Sequence, residues 1–106
     1  MDENTQFFCF REGRLDLITE AQSGEVQLQV ADSWLVEDGR ARSLEAHFER
    51  FGRWVSEVSP TCADSLPAFF EAVQAEIPKI GRIFPRIEFH AEADAPNHLY
   101  LRLREA

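Results

Sequence analysis

Four side chains that can do chemistry recur at intervals of four, three and four residues: Ser43, His47, Arg50 and Trp54. On a helix this spacing places all four along one edge. An arginine at such an edge can present its planar guanidinium to a phosphate or a carboxylate. The same spacing also allows Arg50 to lay its stem over apolar surface and keep its charge in water. His47 is then a boundary residue with no ligand.

Asp32, upstream of this helix, is a further candidate site residue. Asp32 shares its parity along a predicted strand with Val30 and Trp34, so it is either a pocket group or an exposed residue at a bulge. Asp32, His47 and His90 are the acid–base candidates of a small enzyme, but histidines at unrelated positions do not define a site. The sequence has no Ser/His/Asp spacing, glycine-rich phosphate loop or metal-ligand spacing.

The helix that positions these side chains is predicted by five apolar residues on one face: Leu44, Phe48, Phe51, Val55 and Val58. Ser43 precedes them, and we expect its hydroxyl to accept a backbone N–H as the N-cap. Glu45 suits the positive end of the helix dipole. That apolar face is predicted to pack into the core.

A strand and a hairpin precede the helix. Val26, Leu28 and Val30 alternate with polar residues, which indicates a half-buried strand, and Trp34 and Val36 continue its parity. Asp38-Gly39 predicts a tight hairpin turn, because both residues tolerate positive φ. The segment 40–42 is expected to return as a short strand.

The segment 30–51, VADSWLVEDGRARSLEAHFERF, resembles the early part of class IV (fold-type IV) pyridoxal-phosphate enzymes. These include branched-chain aminotransferases, D-amino-acid aminotransferases and aminodeoxychorismate lyases. Their pattern is V-F-E-T, a strand, D-G, a short strand, then L-x-x-H-x-x-R-L. The matching positions are Asp32-Ser33 for Glu-Thr, Asp38-Gly39 for the turn, and Leu44, His47, Arg50 and Phe51 for the helix signature. The resemblance implies that Arg50 binds the phosphate of pyridoxal phosphate (PLP).

The chain departs from that family in two ways. The family places a Tyr-Gly-Asp-Gly-like segment before Glu-Thr, where this chain has GEVQLQ at 24–29. Family members also have a second domain that carries the cofactor lysine, and they are two to three times as long. The single lysine here, Lys79, lies in a loop-like context beside Pro78 and does not match that position. We therefore expect the chain to be inactive by itself.

The remaining elements follow from periodicity. Strands are predicted at 6–10 and 15–20 with a turn at 12–14, and at 82–91 and 98–104. Asp64 or Ser65 can cap a second helix, whose apolar face is Leu66, Phe69, Phe70, Val73 and Ile77. The predicted fold is α+β and two-layered, a largely antiparallel sheet with two helices on one face, in the order β-β-β-β-α-α-β-β.

The last two strands each have a polar face: Arg86, Glu88 and His90 on one, Tyr100, Arg102 and Arg104 on the other. These residues either line a cleft toward a second domain or a dimer mate, or form a solvated sheet face with cross-strand ion pairs of under ~1 kcal/mol each. Pro85 lies within the first of these strands. It favours an edge position or the start of a strand, because proline cannot donate to a ladder.

Length and charge limit the number of domains and the classes of binding partner. The 106 residues are expected to form one domain, 1–106, with 44% hydrophobic residues and a net charge of −8. That charge opposes binding to nucleic acid and to anionic membranes. Cys9 and Cys62 define no disulfide framework or zinc site. The N-terminus shows no signal peptide, and no run is long enough to span a membrane, so a cytoplasmic protein is expected.

These observations lead to three functional hypotheses. The first is the N-terminal domain, or a truncated relative, of a class IV PLP-dependent aminotransferase or lyase, completed by a C-terminal catalytic domain. The second is a stand-alone dimerisation or small-molecule binding module without the cofactor site. The third is a small enzyme that uses the acid–base candidates above.

Overall fold

The computed structural model describes residues 5–18, 28–90 and 98–106, without the side chains of residues 28 and 29. Its strands are β1 (Gln6–Arg11), β2 (Arg14–Ile18), β3 (Leu28–Ser33), β4 (Val36–Glu37), β5 (Arg40–Ala41), β6 (Arg82–His90) and β7 (Leu99–Glu105). Its helices are α1 (Leu44–Val58), α2 (Pro60–Ala63) and α3 (Leu66–Glu76). The expectations that fall on Val26, the segment 24–27, the residues 19–20 and the loop 92–97 lie outside the described residues.

One antiparallel sheet runs in the order β2-β1-β7-β6-β4-β5, with β3 paired to β6 beside β4. The helices cover one of its faces, which confirms the predicted two-layer α+β fold. Two short elements were not predicted. The third predicted strand divides into β3 and β4, and the one-turn helix α2 separates α1 from α3.

The core lies between the helices and the sheet. Phe51 of α1 and Phe69 of α3 are completely buried, as are Ile87 of β6 and Leu101 of β7 opposite them. The apolar face of α1 is confirmed at its centre. Val58, in contrast, is 51% exposed, so its predicted place in the core is wrong. It is the last residue of the helix, and Ser59 then turns the chain into α2.

Both ends of α1 differ in detail from expectation. Ser43 precedes the helix as predicted, but it is left-handed (φ 53°) and its hydroxyl makes no capping hydrogen bond. The capping role expected of its side chain is therefore wrong. At the other end, Pro60 begins α2, and the Ser59 hydroxyl accepts a hydrogen bond from the Cys62 amide at 3.4 Å. Proline suits the first turn of a helix, because that amide would have no partner there.

The predicted Asp38-Gly39 turn is confirmed, with φ of 49° and 79°. Glu37 pairs with Arg40 across it, which leaves a two-residue loop. The Asp38 carboxylate accepts the Gly81 amide at 2.8 Å, and the Asp38 amide donates to the Gly81 carbonyl at 2.8 Å. These two bonds hold the hairpin against the start of β6.

β6 is a central strand that begins at Arg82, so both the edge position and the strand start favoured by Pro85 are wrong. It pairs with β7 along one side and with β3 and β4 along the other. The Pro85 carbonyl accepts from the Trp34 amide at 3.3 Å, in the gap between β3 and β4. The N and C=O of one strand residue point the same way, so the missing N–H faces that gap. The ladder with β7 therefore loses no hydrogen bond.

The sheet face opposite the helices holds a buried ionic group, here called the Glu88 network: Arg86, Glu88, His90 and Arg102. The Glu88 carboxylate lies 2.7 Å from His90 Nε2, 2.6 Å from Arg102 Nε and 3.3 Å from Arg86 Nε. Glu88 is 2% exposed and His90 1%. The expected solvated face is therefore wrong for Glu88 and His90, whereas an expected cross-strand ion pair is present between Glu88 of β6 and Arg102 of β7.

Aromatic rings enclose the Glu88 network. His90 stacks on Tyr100 with ring centroids 4.0 Å apart, and Tyr100 stacks on Phe7 at 5.4 Å. The Arg102 guanidinium lies 3.9 Å from the centroid of the Phe7 ring. Burial by itself raises the pKa of Glu88. The hydrogen bond from His90 and the charge of Arg102 outweigh it, so the pKa is lowered and the carboxylate stays ionised.

Within the described ranges, no helix has both the length and the apolar character needed to cross a membrane.

The Glu88 network predicts a pH-dependent contribution to stability. Replacing Glu88 with Gln leaves the surrounding cations without their counter-charge, so we expect the unfolding free energy at neutral pH to fall by ~3–5 kcal/mol. A carboxylate whose folded pKa is lowered stabilises the protein above its unfolded pKa, near ~4.3. That stabilisation disappears as the pH falls through the folded value. Urea unfolding between pH 7 and pH 3 measures both effects.

Glu49→Gln is the matched control, because Glu49 is an exposed residue of α1 paired only with Arg53 at 3.4 Å among the described residues. We expect this control to unfold like the wild type at every pH. Equal stability of Glu88→Gln and wild type at pH 7 would contradict the role assigned to the network.

Candidate functional site

Three residues whose spacing suggested chemistry meet at one place, here called the Asp32 site: Asp32 of β3 with His47 and Arg50 of α1. Arg50 Nε donates to Asp32 Oδ2 at 2.9 Å, and Arg50 Nη2 donates to Oδ1 at 2.9 Å. His47 Nδ1 lies 2.8 Å from the same Oδ1. One carboxylate thus binds both side chains of the helix.

The backbone explains this convergence. Asp32 has the parity of Trp34 and Val36, and all three point into the layer between sheet and helices, with Asp32 8% exposed. The alternatives left open for Asp32 are thereby decided, since the irregularity of β3 lies between Leu28 and Val30. His47 and Arg50 are one turn apart on α1, so one carboxylate can reach both.

The protonation state of the site follows from these contacts. Burial raises the pKa of Asp32, but hydrogen bonds from Arg50 and then from His47 outweigh it, so the pKa is lowered. An ionised carboxylate only accepts hydrogen bonds. His47 Nδ1 therefore carries a proton and donates to Asp32, which leaves Nε2 as the ring nitrogen without a partner among the described residues.

Arg50 keeps part of its donor capacity. Its side chain is 57% exposed, and Nη1 has no hydrogen-bond partner in the described part of the chain. The edge of the guanidinium formed by Nε and Nη2 is used by Asp32. The N–H groups of Nη1 suit an oxygen of a phosphate, so the site fits an anion on one side of the group only.

The other candidates lie elsewhere. His90 belongs to the Glu88 network on the opposite face of the sheet, so the three acid–base candidates do not form one site. Trp54 follows Arg50 on the same helix edge and is 56% exposed. Lys79 is exposed and lies between α3 and β6, where its backbone lies close to Gly39 of the hairpin. Groups of three potential metal ligands do not occur among the described residues.

Polar contacts on the two faces of the sheet lie next to each other at the end of β3. Asp32 points toward α1, while the next residue, Ser33, points to the other face and accepts a hydrogen bond from Arg104 Nη2 at 3.1 Å. Ser33 also lies opposite Arg86 in the register of β3 and β6. The sequence analysis treated Asp32 and the polar faces of the last two strands separately. The signal that joins them is the alternation of neighbouring strand residues between faces.

Sequence reasoning also missed Trp34 as part of the Asp32 site. Its indole is 3% exposed and stacks on the His47 ring with centroids 5.7 Å apart, and it meets Phe48 edge-on at 5.6 Å. Its shared parity with Asp32 was the available signal. The indole holds the imidazole in the plane that lets Nδ1 reach the carboxylate.

Comparison with known proteins gives a structural match. No protein-family model matches the sequence. No curated protein matches it either. The fold is similar to that of a fold IV transaminase from Curtobacterium pusillum, with a TM-score of 0.63 and 15% identity over 97% of this chain and 43% of the other.

A hypothetical aminotransferase from Mycobacterium tuberculosis is similar to the same degree. Its PLP-bound form has a TM-score of 0.64 and 18% identity over 96% of this chain and 40% of the other. Its apo form has a TM-score of 0.62 and 18% identity, over 97% of this chain and 40% of the other. The chain thus spans about two fifths of the length of these enzymes. The resemblance inferred from the segment 30–51 is confirmed at the level of fold: this chain folds like one part of a fold-type IV transaminase.

Proposed function

We propose that this chain is the N-terminal domain, or a truncated relative, of a class IV PLP-dependent aminotransferase or lyase. The observation that carries the proposal is the Asp32 site within a matching fold. The hairpin, the helix start and the arginine occur in the order that the family pattern requires. In this proposal Arg50 is the cofactor-binding residue, and it holds the phosphate of PLP.

The geometry of Arg50 supports a clamp rather than a mobile surface charge. A free arginine must lose side-chain entropy when it binds an anion. Two hydrogen bonds to a buried carboxylate already orient this guanidinium, so less entropy remains to be lost. Nη1 then presents its N–H groups to an incoming phosphate oxygen. Asp32 acts as a positioning residue, and His47 adds a second hydrogen bond to the same carboxylate.

PLP supplies an electron sink for bonds at the amino-bearing carbon of a substrate. The residues of this chain supply an anion clamp on one side of β3 and the cationic Glu88 network on the other.

Catalysis requires a lysine that this chain does not place at the site. Lys79 is exposed and lies against the Asp38-Gly39 turn, whereas the Asp32 carboxylate is bound by Arg50 and His47. The proposal therefore includes a C-terminal catalytic domain as the partner that completes the site. Without that partner the domain binds the phosphate weakly and is inactive.

One observation favours the alternative function of a dimerisation or binding module that has lost the cofactor site. Asp32 occupies Nε and one N–H of Nη2 of Arg50, which form one of the two edges through which a guanidinium grips an anion with two parallel bonds. An internal carboxylate there competes with an external phosphate. A cofactor-binding domain requires that the remaining N–H groups of Arg50 suffice to bind the phosphate of PLP. A module that has lost the cofactor site does not.

Binding of PLP to the isolated chain tests the clamp. We expect weak, reversible binding that Arg50→Gln abolishes, because the donors of Nη1 are removed, while Arg53→Gln binds as the wild type does. Equilibrium dialysis measures the affinity. Absorbance spectroscopy before and after dilution shows whether a covalent adduct persists. A dilution-resistant adduct that Lys79→Arg removes would contradict the expected inactivity of the single domain.

The Asp32→Asn variant distinguishes two roles of the carboxylate: it either positions Arg50 for a phosphate or competes with the phosphate for Arg50. The amide keeps the size of the side chain but removes the charge that fixes Arg50 and His47, so we expect a lower melting temperature. If Asp32 positions Arg50 for phosphate, binding of PLP weakens as well. Tighter binding by this variant shows that the carboxylate competes, and it supports the module without a cofactor site.

Sedimentation velocity at micromolar concentration tests the partner. We expect a homodimer if the chain is a self-associating module, and a monomer if a C-terminal domain completes it. Wild type and Trp54→Phe are compared, because Trp54 is a large exposed side chain beside the Asp32 site. A monomer at every concentration counts against the module.

A further inference from the structure

The strand β2 forms one outer edge of the sheet, and β5 lies at the other end of the strand order. The turn Glu12-Gly13 joins β1 to β2 as a two-residue loop, and the pair Arg11 and Arg14 that closes it is hydrogen-bonded. From that pair onward, bonded and non-bonded pairs alternate along the antiparallel ladder. The backbone groups of Leu15 and Leu17 therefore point away from β1, and they have no partner among the described residues.

An exposed apolar side chain lies on this edge. Leu17 is 62% exposed, although it lies opposite the buried Phe8 and thus on the helix-covered face of the sheet. β2 contains no proline, and its register with β1 has no bulge, so it lacks two devices that usually block strand pairing. Such an edge is a template for a further strand.

The charges of β2 indicate which strand fits this edge. Arg14 and Asp16 flank Leu15, and both side chains point to the face opposite the helices. When two copies of β2 run antiparallel with Leu15 opposite Leu15, each Arg14 lies directly opposite Asp16 of the other copy. Opposite charges in these positions stabilise a strand pair. Pairing Leu15 with Leu17 instead brings the two Asp16 carboxylates face to face, which is unfavourable.

The arginine of this pair is accessible to a second copy. Within one chain Asp16 lies 3.4 Å from Arg11 Nε and 3.5 Å from Arg14 Nε, so one carboxylate is shared by two guanidinium groups. The Arg14 side chain is 73% exposed. It can therefore contact the carboxylate of the other copy without leaving a buried position.

The same register is favourable in shape. It places Leu17 of one copy opposite Gly13 of the other, where an added Cβ atom would meet nothing within 4 Å. A cavity of about 430 Å³ lies there, between the β1–β2 turn, α2 and the start of β7. Its apolar lining residues are Phe10, Cys62 and Leu99, and most of the others are polar. The exposed Leu17 side chain thus meets a hollow with an apolar part.

We propose that β2 pairs with β2 of a second copy around a twofold axis at Leu15, which joins the two sheets. The interface is isologous, because the same residues lie on both sides. This inference rests on the alternative function, a self-associating module, and names its surface. β2 has five residues, so the contact is smaller than a standard stable interface and the dimer dissociates readily. The Asp32 site lies toward the other edge of the sheet and stays open.

Sedimentation velocity from micromolar to millimolar concentration tests the pairing. We expect the wild type to dimerise reversibly. Arg14→Asp and Asp16→Arg each place like charges opposite each other at both contacts, so self-association weakens by about tenfold or more. An equimolar mixture of the two variants restores opposite charges at both contacts and associates as the wild type does. The control is Arg40→Asp, a charge reversal at an exposed arginine of β5, which leaves dimerisation unchanged.

The outcomes distinguish this surface from the module itself. Dimerisation that persists in both charge variants overturns the β2 pairing and leaves a module with another surface. A wild type that is monomeric at every concentration overturns both. A mixture that fails to associate overturns the proposed register. Leu17→Lys is a second disruption that keeps Arg14 and Asp16, and we expect it to weaken association too. An unchanged melting temperature at micromolar concentration shows that each variant has folded.

Discussion

The carboxylate of Asp32 makes the contacts on which the candidate functional site depends. It joins strand β3 to helix α1 by accepting from Arg50 twice and from His47 once. A buried charge is stable only when it is paired and hydrogen-bonded, so the sheet and the helix must keep this register. The same bonds determine which atoms are left for a ligand: Nη1 of the arginine and Nε2 of the imidazole.

The last two residues of β3 make polar contacts on opposite faces of the sheet. Asp32 binds Arg50 and His47 in the helix layer, and the hydroxyl of the next residue, Ser33, accepts a hydrogen bond from Arg104 on the opposite face. On the opposite face, aromatic rings cover the buried Glu88.

Several elements were predictable because their signals are local. Asp38-Gly39 requires positive φ at two successive residues, and the hairpin follows from that alone. The 3.6-residue spacing of Phe48, Phe51 and Val55 places α1 against the core. The strand order was not predictable, because pairing of β1 with β7 joins the two ends of the chain. Pro85 illustrates the limit: its central position depends on a gap between two other strands.

The sequence alone determined which side chains share a face: Arg50 with His47 on the helix, and Asp32 with Trp34 on the strand. Only the tertiary structure decided that these two faces meet, and that Arg50 uses two of its donors on an internal carboxylate. It also decided that Glu88 and His90 are buried rather than solvated. The physical reason is that periodicity describes one element at a time, whereas burial and ion pairing depend on which elements pack together.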